Sequence, residues 1–257
     1  MIKYIKNILD SAGLLFLVRH IKFHLINYED EYLYLKHFLK KYDVLVDIGA
    51  NRGIYTYLFS TIKPKKIILA FEPNPFMYKF LKTKFSNKRV LIFNYGIGNK
   101  EKVSSLWIPK NFPFSGRSSL IKRNTFKFNN ELSPVKITIK PIDNFIYKYT
   151  HVDSRIFAKI DVEGFEYFVL NSFNRNMLNQ YKIDFMIEIC ASFLSKSHLK
   201  KMFEFFSINK YKMYRLDPKK NVLQLNVFKK YSSFEEFIIK QNNEKKFNFF
   251  FMSNYEL

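Results

Sequence analysis

The sequence predicts an α/β protein with an open, mostly parallel seven-stranded sheet and helices on both of its faces. From residue 43 onward, short apolar runs alternate with helical patterns, as in parallel strands joined by right-handed crossover helices. Acidic residues follow several of these runs directly, at the strand ends where open sheets of this kind bind ligands. Two further strand patterns near the C-terminus predict an antiparallel hairpin at one side of the sheet.

The individual elements are predicted from apolar runs, for strands, and from apolar positions at helical spacing, for helices. The strands are predicted at 44–48, 66–71, 90–95, 156–160 and 183–189. The helices are predicted at 53–61, 75–85, 143–149, 165–173 and 195–206. The segments "KYKMYRL" and "NVLQLNVF", joined by "DPKKN", form the predicted hairpin. After it, Ser232 and Glu235 predict a capping box for a final helix.

The length and composition fit one main domain with a terminal extension. In this chain of 257 residues we predict a helical extension over 1–41 and the main domain over 42–257, with an insertion at about 101–140. The single cysteine, Cys190, excludes an intrachain disulfide and favours a reducing compartment. No apolar run near the N-terminus approaches the ~20 residues of a membrane helix, so we expect a cytoplasmic protein.

The formal net charge of +21 raises the question of a nucleic-acid partner. Lysines outnumber arginines by 35 to eight and are scattered along the chain. Arginine is the better bidentate reader of phosphate and guanine, so the charge reads as a compositional bias and we expect no nucleic-acid partner. Attraction to an acidic substrate, and contact of the N-terminal helices with an anionic membrane surface, stay open, as does the oligomeric state.

The turn "GANRG" at 49–53 joins the first predicted strand to the first predicted helix. Glycines allow close backbone approach to a ligand, and amides at a helix start can bind anionic groups. The turn departs from the dinucleotide fingerprint, because Asn51 stands where its second glycine would meet a pyrophosphate. Asp47, just before the turn, would also repel a pyrophosphate. The pattern therefore argues against NAD and for a ligand with a cationic end, such as S-adenosylmethionine.

A second acid, Glu72, ends the next strand in "ILAFEPNP", nineteen residues after Gly53. An acid at this place accepts hydrogen bonds from the ribose hydroxyls of a bound nucleoside. The segment "NYGIG" ends the third strand, where it would lie near the adenine ring. The expected cofactor-binding residues are Asp47, Gly49, Ala50, Asn51, Gly53, Thr56, Glu72, Pro73, Asn94, Gly96 and Asp161.

Five motifs, in order, resemble the FkbM family of S-adenosylmethionine-dependent methyltransferases. They are "VDIGANRGIYT", "FEPNP", "NYGIGN", "GRSSL" and "KIDVEGFE", and the resemblance spans roughly 43–189. One departure is Tyr95-Gly96, where the family more often has alanine in second place. The resemblance implies a Rossmann-like class I methyltransferase fold and methylation of a hydroxyl, often on a sugar of a surface polysaccharide or on a secondary metabolite. A carbohydrate or glycan precursor is therefore the expected acceptor.

The motif "KIDVEGFE" supplies the expected catalytic residues, Asp161 and Glu163. An alcohol is a poor nucleophile at neutral pH, so a positioned base is useful. Asp161 would face the transferred methyl group and Glu163 would take the acceptor's proton, whereas Glu166 is expected in the first helical turn, outside the site. A second option is that Asp161 and Glu188, with Glu163, hold a Mg²⁺ ion through their oxygens.

The expected substrate contacts are Arg117, Ser118, Ser119 and Lys159, the first three drawn mainly from the resemblance. None of the five histidines stands in a motif; His151 and His198 are the two worth mutating. Two other functions are alternatives to this one. An RNA methyltransferase would more often carry an RNA-binding module or an Asn/Asp-Pro-Pro-aromatic motif, and neither is found. A non-catalytic S-adenosylmethionine-binding protein would have no reason to keep "DVEG".

Overall fold

The computed structural model describes residues 30–62, 66–85, 89–110, 118–122, 132–216, 228–230 and 246–253. Four sequence predictions lie outside these residues: the helices before residue 30, the contact from Arg117, the turn and most of the second arm of the hairpin at 217–227, and the capping box of Ser232 and Glu235. In the described part of the chain, no helix is both long and apolar enough to cross a membrane.

The main sheet has eight strands in the described residues. The strands of both sheets, in chain order, are β1 (Val44–Ile48), β2 (Ile67–Phe71), β3 (Val90–Phe93), β4 (Gly96–Ile97), β5 (Lys102–Pro109), β6 (Leu132–Lys140), β7 (Arg155–Ile160), β8 (Lys182–Cys190), β9 (Lys212–Leu216), β10 (Phe228–Lys230) and β11 (Lys246–Met252). The main sheet has the order β10-β9-β11-β8-β7-β1-β2-β3. The five strands β8, β7, β1, β2 and β3 are successive neighbours and run parallel. This confirms the predicted open α/β sheet.

The C-terminal side of the sheet is antiparallel. Strands β9 and β10 pair antiparallel. β9 lies in the predicted first arm, whereas β10 shares only Phe228 with the predicted second arm. Strand β11, which was not predicted, inserts between β8 and β9 and runs antiparallel to both. The hairpin therefore adds its strands beside β11 and not beside β8, and the sheet has one strand more than the seven predicted.

Helices cover both faces of this sheet. They are α1 (Asp30–Phe38), α2 (Ile54–Ile62), α3 (Pro75–Lys84), α4 (Asp143–Tyr149), α5 (Glu166–Leu170), α6 (Arg175–Gln180) and α7 (Lys196–Ile208). Two short 3₁₀ segments lie at Leu39–Lys41 and Ala191–Phe193. The predicted helix at 165–173 ends earlier, at Leu170, and the unpredicted α6 starts after Asn174, whose side chain accepts from the Met177 amide.

The strands are buried on both sides because successive side chains enter different cores. In β1, Val44 and Val46 join the core under α4 to α7, whereas Leu45 joins the core under α1 to α3. The α1 segment is part of the second core through the fully buried Leu35. The domain limits themselves, at 41 and 42, stay a prediction.

A second, three-stranded sheet, in the order β4-β6-β5, is built from the insertion. Strands β5 and β6 are antiparallel over eight residue pairs, and β4 pairs with the end of β6. A backbone bridge between Trp107 of β5 and Ser119 ties the "GRSSL" segment to this sheet. The insertion thereby brings Ser118 and Ser119 to the carboxyl ends of the main strands.

Candidate active site

A cleft of about 630 Å³ opens at the carboxyl ends of β1, β2 and β7, the edge of an open parallel sheet where ligands bind. Its polar wall contains Asn51, Glu72, Asn74, Ser118, Asp161 and Glu163. Its apolar wall contains Phe71, Met77, Tyr95, Ile97, Leu106, Leu120 and Phe165. Eight of the expected site residues line it: Gly49, Asn51, Glu72, Pro73, Gly96, Ser118, Asp161 and Glu163.

Asp47 lies beneath the cleft rather than in its wall. Its carboxylate is fully buried, and its Oδ2 accepts hydrogen bonds from the amide and the hydroxyl of Thr56, at 3.1 and 2.7 Å. Both residues were expected to contact the cofactor. In the structure they instead fix the first turn of α2 to the end of β1.

Lys159 also lies beneath the cleft, in contrast to the predicted substrate contact. Its ammonium is 3.7 Å from Asp47 Oδ1 and 3.3 Å from Asp161 Oδ2, and it donates to the Gly49 carbonyl at 3.2 Å. Burial, the largest single influence, lowers the pKa of Lys159, but the carboxylates of Asp161, Asp47 and Glu188 outweigh it and leave the pKa raised. The side chain is therefore a buried cation that joins β1 to β7.

The glycine turn is held by hydrogen bonds within the protein. The amides of Gly49 and Ala50 both donate to the Phe71 carbonyl at 3.0 Å, and the Gly53 amide donates to the Ala50 carbonyl at 2.7 Å. The Asn51 amide donates to Glu72 at 2.7 Å. These four amides are thus engaged within the protein, although the turn's amides were predicted to wrap the ligand. The Asn51 side-chain oxygen is buried without a hydrogen-bond partner in the described structure.

Two glycines of the turn are needed for packing. A Cβ on Gly49, where φ is +77°, would lie 1.9 Å from the Asp161 carbonyl oxygen. A Cβ on Gly53, where φ is +74°, would meet Leu81 and Phe85 of the α3 region at 2.7 Å. Gly49 therefore allows β1 to approach β7 beside the cleft, and Gly53 allows α2 to approach α3.

Glu72 lies in the cleft wall with most of its surface buried. Its carboxylate accepts from the amides of Asn51 and Asn74, at 2.7 and 2.9 Å. Burial raises the pKa of Glu72 to about 7, against the two amide hydrogen bonds that lower it. Asn94, expected near an adenine ring, instead donates to the backbone carbonyls of Glu72 and Pro73, at 2.8 and 3.1 Å, and so supports the loop that carries Glu72.

The loop after β7 contributes the opposite wall. Asp161 continues the strand, with its amide donating to the Ile48 carbonyl at 3.0 Å. Glu163 has a φ of +55° and Gly164 a φ of +99°, so the chain turns through the left-handed region before α5 begins. Glu166 is the first residue of α5, as predicted. It is buried, however, and its Oε1 accepts from the Gly164 amide at 2.9 Å.

Ser118 and Ser119 make contacts with opposite walls of the cleft. The Ser118 hydroxyl accepts from the Asn74 side chain at 3.1 Å, next to Glu72. The Ser119 hydroxyl donates to the Glu163 carbonyl at 2.9 Å and accepts from the Ile121 amide at 3.1 Å. Ser119 is buried, so the structure places Ser118, but not Ser119, where a substrate could touch it.

Three carboxylates lie close together at one end of the cleft. Oxygens of Asp161, Glu163 and Glu188 all lie within 4.8 Å of one another. The Lys159 ammonium, 3.3 Å from Asp161, already supplies positive charge beside this group. The structure thus brings together the residues predicted as Mg²⁺ ligands, and the arrangement equally provides negative potential for a cationic ligand.

Two features of this site were not predicted from the sequence: Asn74 lies in the cleft wall, and Glu166 is buried. A signal for Asn74 was present, because asparagine before "PFMYKF" is a helix N-cap pattern, and its Oδ1 does accept from the Phe76 amide. His198 stacks on Tyr167 with ring centroids 4.5 Å apart, outside the cleft wall, and His151 is exposed.

The parallel sheet with an inserted antiparallel strand, and the acid-lined cleft after a glycine turn, define a Rossmann-like class I methyltransferase fold. Residues 47–216 match the family model described as the methyltransferase FkbM domain. This match covers more than half of the chain, and the chain belongs to that family. A comparison with curated proteins finds no significant match.

The chain is similar to several solved structures at low identity. The similarity to the methyltransferase FkbM from Methylobacillus flagellatus has 16% identity and a TM-score of 0.47, and covers 82% of this chain and 44% of that one. Precorrin-6y C5,15-methyltransferase from Geobacter metallireducens has 13% identity, a TM-score of 0.42, and coverage of 88% and 87%. A SAM-dependent O-methyltransferase from Thermotoga maritima has 7% identity, a TM-score of 0.41, and coverage of 92% and 71%. This chain thus spans less than half the length of the M. flagellatus protein.

Proposed function

We propose that this protein is an S-adenosylmethionine-dependent O-methyltransferase whose acceptor is a sugar hydroxyl of a glycan or its precursor. The observation that carries the proposal is that Glu72, from β2, and the Asp161–Glu163 loop, from β7, open into one cleft. The methyl donor fits these residues, because its sulfonium and amino groups are cationic and the cleft is lined by carboxylates.

In this proposal each side chain has a separate task. The bound donor supplies an activated methyl group, so the protein must place the acceptor and remove its proton. Glu72 accepts hydrogen bonds from the donor's ribose. Glu163, in the cleft wall, takes the proton of the attacking hydroxyl. Asp161, held by the ammonium of Lys159, contributes negative potential beside the sulfonium.

The acceptor class is proposed from two supports. The first is membership of the FkbM methyltransferase family, because the resemblance of this sequence to that family implies a hydroxyl acceptor. The second is the mixed character of the cleft, which is lined by the aromatic residues Tyr95 and Phe165 as well as by the polar Ser118. A sugar offers an apolar ring face and hydrogen-bonding edges, and this wall can meet both.

Replacement of Glu163 by glutamine is expected to lower turnover by about 10²-fold or more, the usual contribution of a positioned base. The amide keeps the size of the side chain but cannot take a proton. Transfer of a labelled methyl group to a panel of sugars and glycan precursors measures turnover, and calorimetry with S-adenosylhomocysteine measures donor-site affinity, which should stay within about twofold. Glu204→Gln, at an exposed position of α7, is the matched control.

Unchanged turnover in Glu163→Gln would remove the base assignment. A wild type that binds no S-adenosylhomocysteine would contradict every methyltransferase interpretation. Transfer to RNA, with none to any sugar, would contradict only the acceptor class.

Affinity for S-adenosylhomocysteine is expected to rise about tenfold between about pH 6 and about pH 8, because binding favours ionised Glu72. With a pKa of about 7 in the free protein, the carboxyl is mostly protonated at the lower pH and mostly ionised at the higher one. The ionised form accepts hydrogen bonds from both ribose hydroxyls. Calorimetry across this range checks the expectation. Glu72→Gln, which cannot ionise, should bind weakly with no such rise, and an equal rise in this variant would sink the explanation.

A further inference from the structure

We propose that Glu166 is the positioning residue of the catalytic loop: its buried carboxyl group holds residues 162–164 in the turn that presents Glu163 to the cleft. The inference rests on the proposed function, in which Glu163 is the base. The sequence predicts Glu166 to lie in the first turn of a helix, outside the site. The inference gives this side chain a role in the reaction.

The turn needs such a hold because its conformation is unfavourable for the residue that occupies it. Glu163 has a φ of +55°, in the left-handed region that non-glycine residues seldom adopt. The next residue, Gly164, has a φ of +99°, which glycine tolerates. A side chain held in a sparsely populated conformation next to a cleft persists only when surrounding contacts fix it there.

Those contacts come from two directions. From α5, Glu166 Oε1 accepts from the Gly164 amide at 2.9 Å and faces the Val162 amide at 3.4 Å. From the insertion, the Ser119 hydroxyl donates to the Glu163 carbonyl at 2.9 Å. The peptide group between Glu163 and Gly164 is therefore anchored twice, through its carbonyl by Ser119 and through its amide by Glu166. The second contact of Glu166 reaches the peptide group between Asp161 and Val162.

The burial of Glu166 separates this role from a simple interaction with the helix dipole. A dipole interaction is available to an exposed acid, whereas only 3% of Glu166 is exposed. Its Oε2 is buried without a hydrogen-bond partner in the described part of the chain, which costs free energy. The contacts made by Oε1 are the visible compensation for that cost.

The hold depends on an acceptor oxygen and not on a negative charge. Burial raises the pKa of Glu166 to about 7, against the amide hydrogen bonds that lower it, and the nearby Asp161 and Glu163 raise it further. The neutral acid is thus well populated near neutral pH, and its carbonyl oxygen accepts from an amide as a carboxylate oxygen does. Glutamine keeps this oxygen, and methionine, of similar length, lacks it.

The experiment compares Glu166→Met with Glu166→Gln. Glu204→Met, at an exposed position of α7, is the control for the loss of a glutamate. Hydrogen exchange of the Gly164 amide, followed by mass spectrometry, is expected to accelerate at least about tenfold in Glu166→Met and to stay within about threefold of wild type in Glu166→Gln. With a sugar acceptor, kcat should fall at least about tenfold in Glu166→Met only, with affinity for S-adenosylhomocysteine within about twofold in all variants.

Equal losses in Glu166→Met and Glu166→Gln, or wild-type exchange and kcat in Glu166→Met, would overturn the inference. If Glu166→Met does not fold, Ser119→Ala removes the other anchor, and a kcat equal to that of wild type would count against a held loop. Failure of the proposed function has a different signature. In that case Glu163→Gln keeps full turnover, or no acceptor is methylated, while the exchange of the Gly164 amide still reports on the hold.

Discussion

Alanine in place of Gly49 is expected to destabilise the protein by at least about 3 kcal/mol and to abolish donor binding. Its Cβ would lie 1.9 Å from the backbone oxygen of Asp161, and its φ of +77° would be strained. Because the obstacle is a backbone atom of an adjacent strand, no side-chain rotation can relieve the clash. The ends of β1 and β7 would have to separate, which breaks the hydrogen bond from the Asp161 amide to the Ile48 carbonyl.

Chemical denaturation measures this loss of stability, and Gly96→Ala supplies the matched control. Gly96 also lines the cleft, but a Cβ there would meet side-chain carbons of Ile139 and Ile137, at 3.2 and 3.3 Å. Side-chain carbons can shift where a backbone atom cannot, so we expect a loss below about 1 kcal/mol. Equal stability of the two alanine variants would show that Gly49 is not needed for the close approach of the strands.

The fold could be predicted because its strands are short apolar runs between helical patterns. The limits of β1 and α4 agree with the sequence prediction at 44–48 and 143–149. Strand β11 was missed because "KFNFFFM" is an almost continuous apolar run, which periodicity cannot assign to strand or helix. In the structure, Phe249 and Phe251 enter one core and Phe250 enters the other, as in any strand covered on both faces.

The acids of the site could be found from the sequence, but not which of them face the cleft. Asp47 and Glu72 both follow apolar strand residues, yet Asp47 is fully buried under the glycine turn and Glu72 reaches the cleft wall. The difference depends on strand order. Strands β1 and β7 are neighbours, and their register places Lys159 beside Asp47, although the two residues lie 112 positions apart in the chain. No local pattern contains that information.

Replacement of Lys159 by methionine is expected to cost about 3–5 kcal/mol of stability, the range seen when one partner of a buried ion pair is removed. Asp47 has no exposed surface, and its Oδ1 has no hydrogen-bond partner in the described structure. The Lys159 ammonium, 3.7 Å away, is the positive charge that compensates this oxygen. Methionine keeps the volume of the side chain but leaves a buried carboxylate uncompensated.

Lys66→Met separates this effect from the loss of any lysine–aspartate pair. Lys66 and Asp43 are 2.7 Å apart, closer than Lys159 and Asp47, but both side chains are 41% exposed. Water and salt screen a pair at the surface, so its removal should cost no more than about 1 kcal/mol. The double variant Asp47→Asn/Lys159→Met should recover part of the loss, because the amide carries no charge to leave buried. If Lys159→Met and Lys66→Met were equally stable to denaturant, Lys159 would not be the buried cation that joins β1 to β7.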